Sequence, residues 1–322
     1  MIRLFASLTA AFVVLAGMAI APVQAQQVGI ATSNPGSIFH NIGSAIAKVA
    51  NDAGLNTTIQ PATSPNQYLF VVNAGEIEFG VGNLQEFNYA LEGKGWFDGT
   101  PNPDLRVVSL IMPLREAIFV RKDSDIMTIA DLKGKRMVDG YTAQQTILPQ
   151  LDALYATAGL SRADMQPVQV PSVVGGADAF MAGDSVGFIF AHGAGKVREA
   201  DAAVGGLRAL PIENTPENEA AIKKHWPVGF LTKMTPGSAS PGVLEEGYFI
   251  AYPQLVFTNK DVADDVVYKM AKVVYENPKG LGDIFPPFRA FNPKEDMVGD
   301  TSPGEYHPGA IKFYKEIGIW KE

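Results

Sequence analysis

The chain contains no cysteine and only four histidines in 322 residues. It can therefore form no disulfide bond and no thiolate metal site. The histidines, at positions 40, 192, 225 and 307, are too far apart for H-E-x-x-H or another short ligand motif. A Walker A loop and a G-x-G-x-x-G fingerprint are also absent. We therefore expect no metal ion and no cofactor.

The chain has fewer basic than acidic residues. Lysine and arginine total 26 against 34 aspartate and glutamate residues, which gives a net charge of −8. An acidic chain without a basic cluster is not expected to bind nucleic acid or an anionic membrane surface. A small anionic ligand stays possible, because the local geometry of a site decides its binding.

Long apolar runs are missing beyond the first 25 residues. There, Arg3 precedes an apolar run from Leu4 to Ile20, and Val23-Gln24-Ala25 follows. This order is typical of a secretory signal peptide cleaved after Ala25. The alternative is an uncleaved anchor, although a run of about 17 residues is at the short limit for a membrane span. We expect an exported periplasmic monomer with no stable membrane insertion after cleavage.

Apolar runs alternate with helical patterns along the rest of the chain. The first part predicts strands at 28–31, 56–60, 78–82 and 105–112, and helices at 36–52, 67–73 and 83–91. The second part predicts strands at 117–122, 136–139, 168–170, 186–191 and 207–211, and helices at 145–158 and 175–181. A long extended run at 247–258 and helices at 263–277 and 308–318 complete the chain. Such alternation is typical of parallel α/β sheets.

Four short polar turns follow apolar runs and open helical patterns. They lie at residues 33–37, 64–67, 83–86 and 142–145, and the last three have the spacing of a capping box. A helix start offers unpaired N–H groups and a partial positive charge, which suit a carboxylate. In open α/β sheets, ligands lie beyond the strand ends where such turns converge. The set predicts a cleft lined by neutral polar groups; the alternative is that each turn merely begins a helix.

Three stretches together resemble one known family. They are residues 29–91, with the turn at 33–37 and Phe39 after it, TIADLKGKRM at 128–137, and EYHPGAIKFYKEIG at 305–318. The chain resembles the TAXI subfamily of TRAP transporter solute-binding proteins over nearly its whole mature length. The resemblance implies a two-lobed, type II periplasmic-binding-protein (Venus-flytrap) fold, each lobe a mainly parallel α/β sheet flanked by helices. It also implies capture of a small organic carboxylate, such as glutamate or 2-oxoglutarate, for TRAP membrane permease subunits driven by an ion gradient.

This interpretation divides the chain into lobes. Residues 26–114 and 247–322 would form lobe one and residues 115–246 lobe two, with hinges near 112–117 and 242–248. Arg115 lies at the presumed crossover and is the best-placed basic group for an ion pair with an acidic solute. The alternative is a solvated hinge residue.

The candidate ligand-binding residues come mainly from the polar turns. Ser33, Ser37 and the N–H groups after Pro35 would hold a carboxylate, and Phe39 would pack on the carbon chain. Polar groups would face the solute from both lobes. With Arg115, the predicted set is Ser33, Asn34, Ser37, Phe39, Ser64, Asn66, Asn83, Gln85, Arg115, Tyr141, Thr142, Gln144, Gln145 and His192. The family's patterns differ from this chain at several of these turns, which is where a ligand would lie.

Two other functions remain open. Residues 183–187 match G-x-S-x-G, but a helical pattern precedes Ser185 and a strand follows, the reverse of a nucleophile elbow. A periplasmic hydrolase is therefore a weak alternative, and we expect no enzyme. The other alternative is a receptor of an ABC importer or a sensor that binds a non-carboxylate solute.

Overall fold

The structure is a computed structural model that describes residues 27–320. The predicted signal peptide and its cleavage site after Ala25 lie outside the described residues. None of the helices within residues 27–320 has the length and apolar character needed to cross a membrane.

Strands and helices alternate along the described chain. The strands are β1 Val28–Thr32, β2 Thr57–Pro61, β3 Phe79–Asn83, β4 Leu105–Arg121, β5 Arg136–Asp139, β6 Gln166–Gln169, β7 Gly187–Ala191, β8 Leu207–Ala209, β9 Phe230–Met234 and β10 Gly247–Asn259. The helices are α1 Ile38–Asp52, α2 Pro65–Asn73, α3 Leu84–Glu92, α4 Ile147–Ala156, α5 Val173–Met181, α6 Gly195–Val204, α7 Pro216–His225, α8 Asp264–Glu276, α9 Pro278–Ile284, α10 Pro293–Asp296 and α11 Pro308–Glu316.

Helix α1 shows how the local sequence sets these elements. Its apolar residues recur at helical spacing, and Ile42, Ala45 and Ile46 are completely buried. Ser37 begins the helix, because its hydroxyl accepts a hydrogen bond from the His40 N–H at 3.2 Å. The helix therefore buries one face against the sheet and starts directly after the first polar turn.

The strands pair in the order β2-β1-β3-β10-β4-β7-β5-β6, with β8 on β4 and β9 on β10. The groups β1–β3 and β5–β7 are parallel, whereas β4 and β10 pair antiparallel with their neighbours. The expected α/β architecture with flanking helices is confirmed.

The two long strands change partners in the middle. Strand β4 pairs with β10 up to Leu114 and with β7 from Glu116 onwards. Strand β10 pairs with β9 up to Ala251 and with β4 from Tyr252 onwards. Two groups of strands are therefore joined through β4 and β10 into one hydrogen-bonded sheet, where separate sheets were expected.

Proline lies at this change of partner in both strands. Pro113 lies in β4 and Pro253 in β10, and the pairing register shifts between Tyr252 and Gln254. Proline has no N–H to donate to a neighbouring strand, so the regular pairing is interrupted at these residues although both strands continue. The prediction of a separate strand at 117–122 is wrong, because β4 passes through Pro113 without ending.

Strand β9 and four helices, α6, α7, α9 and α10, were not predicted from the sequence. Helix α7 buries only Ile222, so it lacks the apolar periodicity used for the other helices. Its end signals are nevertheless clear: Thr215 caps it, Pro216 occupies the first turn, and the last turn is basic. These signals would have found it.

Candidate functional site

A cavity lies where the chain segments after β1, β2, β3, β5 and β6 meet the end of β7 and the middle of β4 and β10. Its free volume is about 30 Å³. Its walls are both polar and apolar, and are formed by Ser33, Asn34, Ser37, Ile38, Phe39, Thr63, Asn83, Glu86, Leu114, Glu116, Gln144, Ile147, Gln150, Ser172, Val173, Val174, Phe190, Ala191 and Tyr252. We call this space the central cavity. It has room for water but not for an organic metabolite, so a solute needs the site to open or expand.

Three residues that cap a helix with their side chain line the central cavity. Ser37 begins α1, Asn83 begins α3 with its side-chain oxygen 2.9 Å from the Glu86 N–H, and Ser172 begins α5. The expected convergence of helix starts is therefore present at two predicted turns. The third, at Ser172, was missed, because the turn lacks the Glu or Gln that completes a capping box.

The predicted site residues fall into two groups. Those that line the central cavity are Ser33, Asn34, Ser37, Phe39, Asn83 and Gln144. Those that do not line it are Ser64, Asn66, Gln85, Arg115, Tyr141, Thr142, Gln145 and His192.

The turn at residues 142–145 is not a capping box. Helix α4 begins only at Ile147, and the preceding segment hydrogen-bonds to the chain before α5, with the Thr142 N–H donating to the Val170 carbonyl at 3.1 Å. Tyr141 is buried and has a left-handed backbone, with φ of 37°. Thr142 and Gln145 are exposed. Only Gln144 reaches the cavity wall, where its side-chain oxygen accepts from the Val173 N–H at 3.0 Å.

Ser64 closes the site instead of lining it. It begins α2 without a side-chain capping bond. Its hydroxyl lies 2.8 Å from the Ala143 carbonyl oxygen and 2.9 Å from Oδ1 of Asn66. The predicted box is lost because the hydroxyl that would cap the helix is turned to the facing segment.

Two further hydrogen bonds cross between the same sides. The Gly195 N–H donates to Oδ1 of Asn41 at 3.0 Å, and the Lys196 N–H donates to the Gly36 carbonyl at 3.1 Å. Both join the start of α6 to the start of α1. With the bond from Ser64, they hold the central cavity closed.

Two buried glutamates of the central cavity were not predicted as site residues. Glu86 lies in the first turn of α3 and is 1% exposed, and Glu116 lies in β4 and is 3% exposed. They are the only charged side chains on the cavity wall, and neither has a basic partner within 4.0 Å among residues 27–320. A signal existed for Glu116, which interrupts an otherwise apolar strand.

Burial dominates the protonation of both carboxyls. It raises the pKa of Glu86 to about 7, although Nδ2 of Asn83 donates to it at 2.7 Å. It raises the pKa of Glu116 to about 8, and the nearby charge of Glu86 adds to this rise. With its amide nitrogen turned inward, Gln150 lies 3.1 Å from both oxygens of Glu116. The two carboxyls of the central cavity are therefore only partly ionised near neutral pH.

A second cavity of about 40 Å³ adjoins the first and shares Ile38 and Leu114 with it. Arg115, His192 and Gln254 lie on its wall. We call it the crossover cavity. Successive side chains of a strand point to opposite faces, so Glu116 faces one cavity and Arg115 the other. Arg115 and His192 were expected to face the solute, and the structure places both behind the central cavity.

His192 is held as a neutral ring. Its ring packs between Phe119 and Phe249, each with a centroid separation of 5.0 Å. Burial lowers its pKa to about 3, and the charge of Arg115 acts in the same direction. Within residues 27–320, neither ring nitrogen of His192 has a hydrogen-bond partner.

The described residues offer no metal centre and no nucleophile elbow. Across residues 27–320, no three His, Asp or Glu side chains are grouped to hold a metal ion. Ser185 precedes β7 and donates its hydroxyl to the Gly187 carbonyl at 3.0 Å, away from the central cavity. The order of helix, serine and strand is the one that the sequence predicts and is the reverse of an elbow.

The sequence of residues 30–318 matches the NMT1-like family. Among solved structures, one described as a periplasmic transporter is 12% identical, with a TM-score of 0.55, and covers 92% of this chain and 94% of its own. The ligand-binding component of an ABC-type import system from Staphylococcus aureus, with zinc bound, is 11% identical, with a TM-score of 0.53 and coverages of 92% and 93%. PhnD1 from Prochlorococcus marinus, in complex with methylphosphonate, is 9% identical, with a TM-score of 0.51 and coverages of 91% and 99%.

These similarities establish the fold. At such identities they carry no ligand across, but they confirm the two-lobed periplasmic-binding-protein architecture that the resemblance implies. The narrower resemblance to the TAXI subfamily stays a prediction.

Proposed function

The chain belongs to the NMT1-like family, and from this premise we propose that it is a periplasmic receptor that closes two lobes around a small organic solute and delivers it to a membrane permease. The supporting observation is the central cavity, which lies between helix starts from both groups of strands and is closed by hydrogen bonds across it. Helix starts and buried polar groups bind a solute more strongly once water is excluded.

The proposed motion is a hinge closure. The lobes would be residues 26–114 with 247–322, and residues 115–246. The change of partner in β4 and β10 supports hinges at Leu114–Glu116 and Ala251–Tyr252, so the second hinge lies after the predicted segment at 242–248. Opening would break the bonds of Ser64, Asn41 and Gly36 across the cleft, and a captured solute would favour the closed state.

The resemblance to TAXI receptors supports a finer proposal. It favours a small organic carboxylate as the solute and TRAP permease subunits, driven by an ion gradient, as the partner. Ser33, Ser37 and Ser172 lie at helix starts on the cavity wall, where a ligand carboxylate would be held. Export through the predicted signal peptide belongs to the same proposal.

A receptor of an ABC importer is the second candidate. It is favoured by the similar fold of the Staphylococcus aureus component of an ABC-type import system. The methylphosphonate complex of PhnD1 adds an anionic non-carboxylate solute to the candidates.

Thermal unfolding of residues 26–322 across a library of periplasmic solutes tests the receptor function. A solute at 100 times its dissociation constant should raise the melting temperature by roughly 5 °C. The absence of any stabilising solute would reject the proposal. Transport in proteoliposomes with the permease encoded beside this chain then separates the partners, because an ion gradient without ATP should suffice for TRAP but not for an ABC importer.

A further inference from the structure

Resting on the proposed receptor function, we infer that the solute carries a protonated amino or other cationic hydrogen-bond-donor group, which Glu86 and Glu116 bind from opposite sides of the central cavity. This assigns the ligand class of the site more narrowly than an organic carboxylate. A dicarboxylate without an amino group lies outside this ligand class, whereas an amine or a zwitterionic amino compound belongs to it.

The placement of the two carboxyls supports this assignment. Glu86 belongs to α3, which follows the parallel strand β3, and Glu116 lies in the part of β4 that pairs with β7. The two side chains therefore come from different groups of strands. A cation between them would contact both sides at once and favour closure.

The hydrogen bonds of the two carboxyls are incomplete. A carboxylate can accept about four hydrogen bonds. Glu86 accepts one from the side chain of Asn83 and has the Thr146 hydroxyl beside it. Glu116 faces the amide of Gln150 and the Tyr252 hydroxyl, so fewer than four donors reach each carboxyl. Both line the cavity, so their free acceptor positions are available to a ligand. A ligand ammonium group has three donors that match them.

The charge of the cavity also distinguishes the ligand classes. Among residues 27–320, two acidic side chains and no basic one line the wall, and Arg115 faces the crossover cavity instead. A dianionic solute would place further negative charge beside buried carboxyls with no cation to compensate it. A cationic group would compensate the charge of these carboxyls.

Once the site has expanded, the rest of the wall offers surface that suits the remainder of such a solute. Phe39, Phe190 and Val173 supply apolar surface for a carbon chain. A carboxylate at the far end of a zwitterion would lie at the helix starts of Ser37 and Ser172. The inferred ligand is thus compatible with a carboxylate group, provided that a cationic group accompanies it.

Two matched sets of probes test this inference by calorimetry and thermal unfolding at pH 7.5 and low salt. Glutarate, 5-aminopentanoate and cadaverine share a five-carbon chain and carry zero, one and two ammonium groups. Glutamate and 2-oxoglutarate differ by an amino group in place of a keto group. We expect 5-aminopentanoate and cadaverine to bind at least tenfold more tightly than glutarate. We expect glutamate to bind at least tenfold more tightly than 2-oxoglutarate.

The variants Glu86→Gln and Glu116→Gln keep the shape and one acceptor oxygen of each side chain while removing its charge. Each should weaken binding of the amino probes at least tenfold and leave glutarate unchanged or bound more tightly. Glu305→Gln is the matched control, because Glu305 is exposed at the surface. Circular dichroism of each variant shows whether its fold is retained.

The outcomes separate this inference from the receptor function. Equal or tighter binding of glutarate and 2-oxoglutarate, or no effect of the Gln variants on amino probes, overturns the inference and leaves a receptor for anions. If neither these probes nor the solute library stabilises the protein, the receptor function fails and the inference fails with it.

Discussion

The central and crossover cavities are neighbours that share Ile38 and Leu114, yet acidic side chains line one and a basic side chain lines the other. Glu86 and Glu116 line the first, and Arg115 with a neutral His192 lines the second. Arg115 and Glu116 are adjacent in sequence, and strand alternation sends them to different cavities. The charged residues near a strand crossover therefore do not reveal the charge of a binding site until the face to which each side chain points is known.

The largest expected effect comes from opening the crossover cavity. Phe119 is completely buried and packs on His192. Phe119→Ala should lower the free energy of unfolding by about 3–5 kcal/mol. It should also raise the pKa of His192 towards 6.5, because water then reaches the ring. Denaturant unfolding and NMR titration measure the two effects.

Phe119→Leu is the control for that variant, since it keeps most of the side-chain volume. It should cost less than the alanine variant and leave the pKa of His192 low. A normal pKa of His192 in the unchanged protein would contradict the description of its ring as buried and neutral.

The second prediction uses the opposite pH responses of the two cavities. Unfolded glutamate has a pKa near 4.5, whereas Glu116 has a pKa of about 8, so the folded state holds more protons between these values. The free energy of unfolding should therefore fall as pH rises through this window, by up to ~1.4 kcal/mol per pH unit for one such group. Glu116→Gln should remove the part of that loss that Glu116 causes, whereas Glu86, with a pKa of about 7, keeps its own contribution.

His192 should act in the reverse direction. Its pKa changes from 6.5 to about 3 on folding, so the unfolded state holds more protons between these values. The free energy of unfolding should therefore fall as pH drops below about 6.5. His192→Gln should reduce the loss below about pH 4.5, where Glu116 no longer titrates, and Glu116→Gln the loss between about pH 6.5 and 8, where His192 no longer titrates; between these ranges the two slopes oppose each other. Denaturant midpoints across these ranges test the separation, and a variant that reduces both losses would contradict it.

A smaller effect is expected at the closing contacts of the central cavity. Ser64→Ala removes the hydrogen bond to Ala143, which is worth about 0.5–1.5 kcal/mol. Affinity for a captured solute should fall by roughly three- to tenfold. Titration calorimetry measures the change. Ser161→Ala, in an exposed capping box, is the control and should leave affinity unaltered.

The smallest effect is expected from Arg115→Gln. Because Arg115 lines the crossover cavity, solute affinity should change less than twofold, in contrast to the loss from Glu116→Gln. A tenfold or greater loss would restore the original hypothesis of an ion pair between Arg115 and the solute.

Local signals predicted much of the site. The turn at Ser33–Ser37 and the cap at Asn83 were located correctly, because capping depends on residues within one turn of each other. The turn at 142–145 was assigned wrongly, since its backbone groups bond to the distant segment before α5. Glu86 was noticed only as a capping residue, because its burial depends on β4, β10 and the cleft.

The alternation of apolar patterns was enough to establish an α/β chain with helix starts at its strand ends, since these features depend on short-range periodicity and capping. Three features could be recognised only in the folded chain. They are the continuity of β4 through Pro113, the separation of Arg115 from Glu116, and the acidic side chains of the central cavity. Each of these depends on which side of a shared strand faces which neighbour, and that is fixed by pairing between residues more than 100 positions apart.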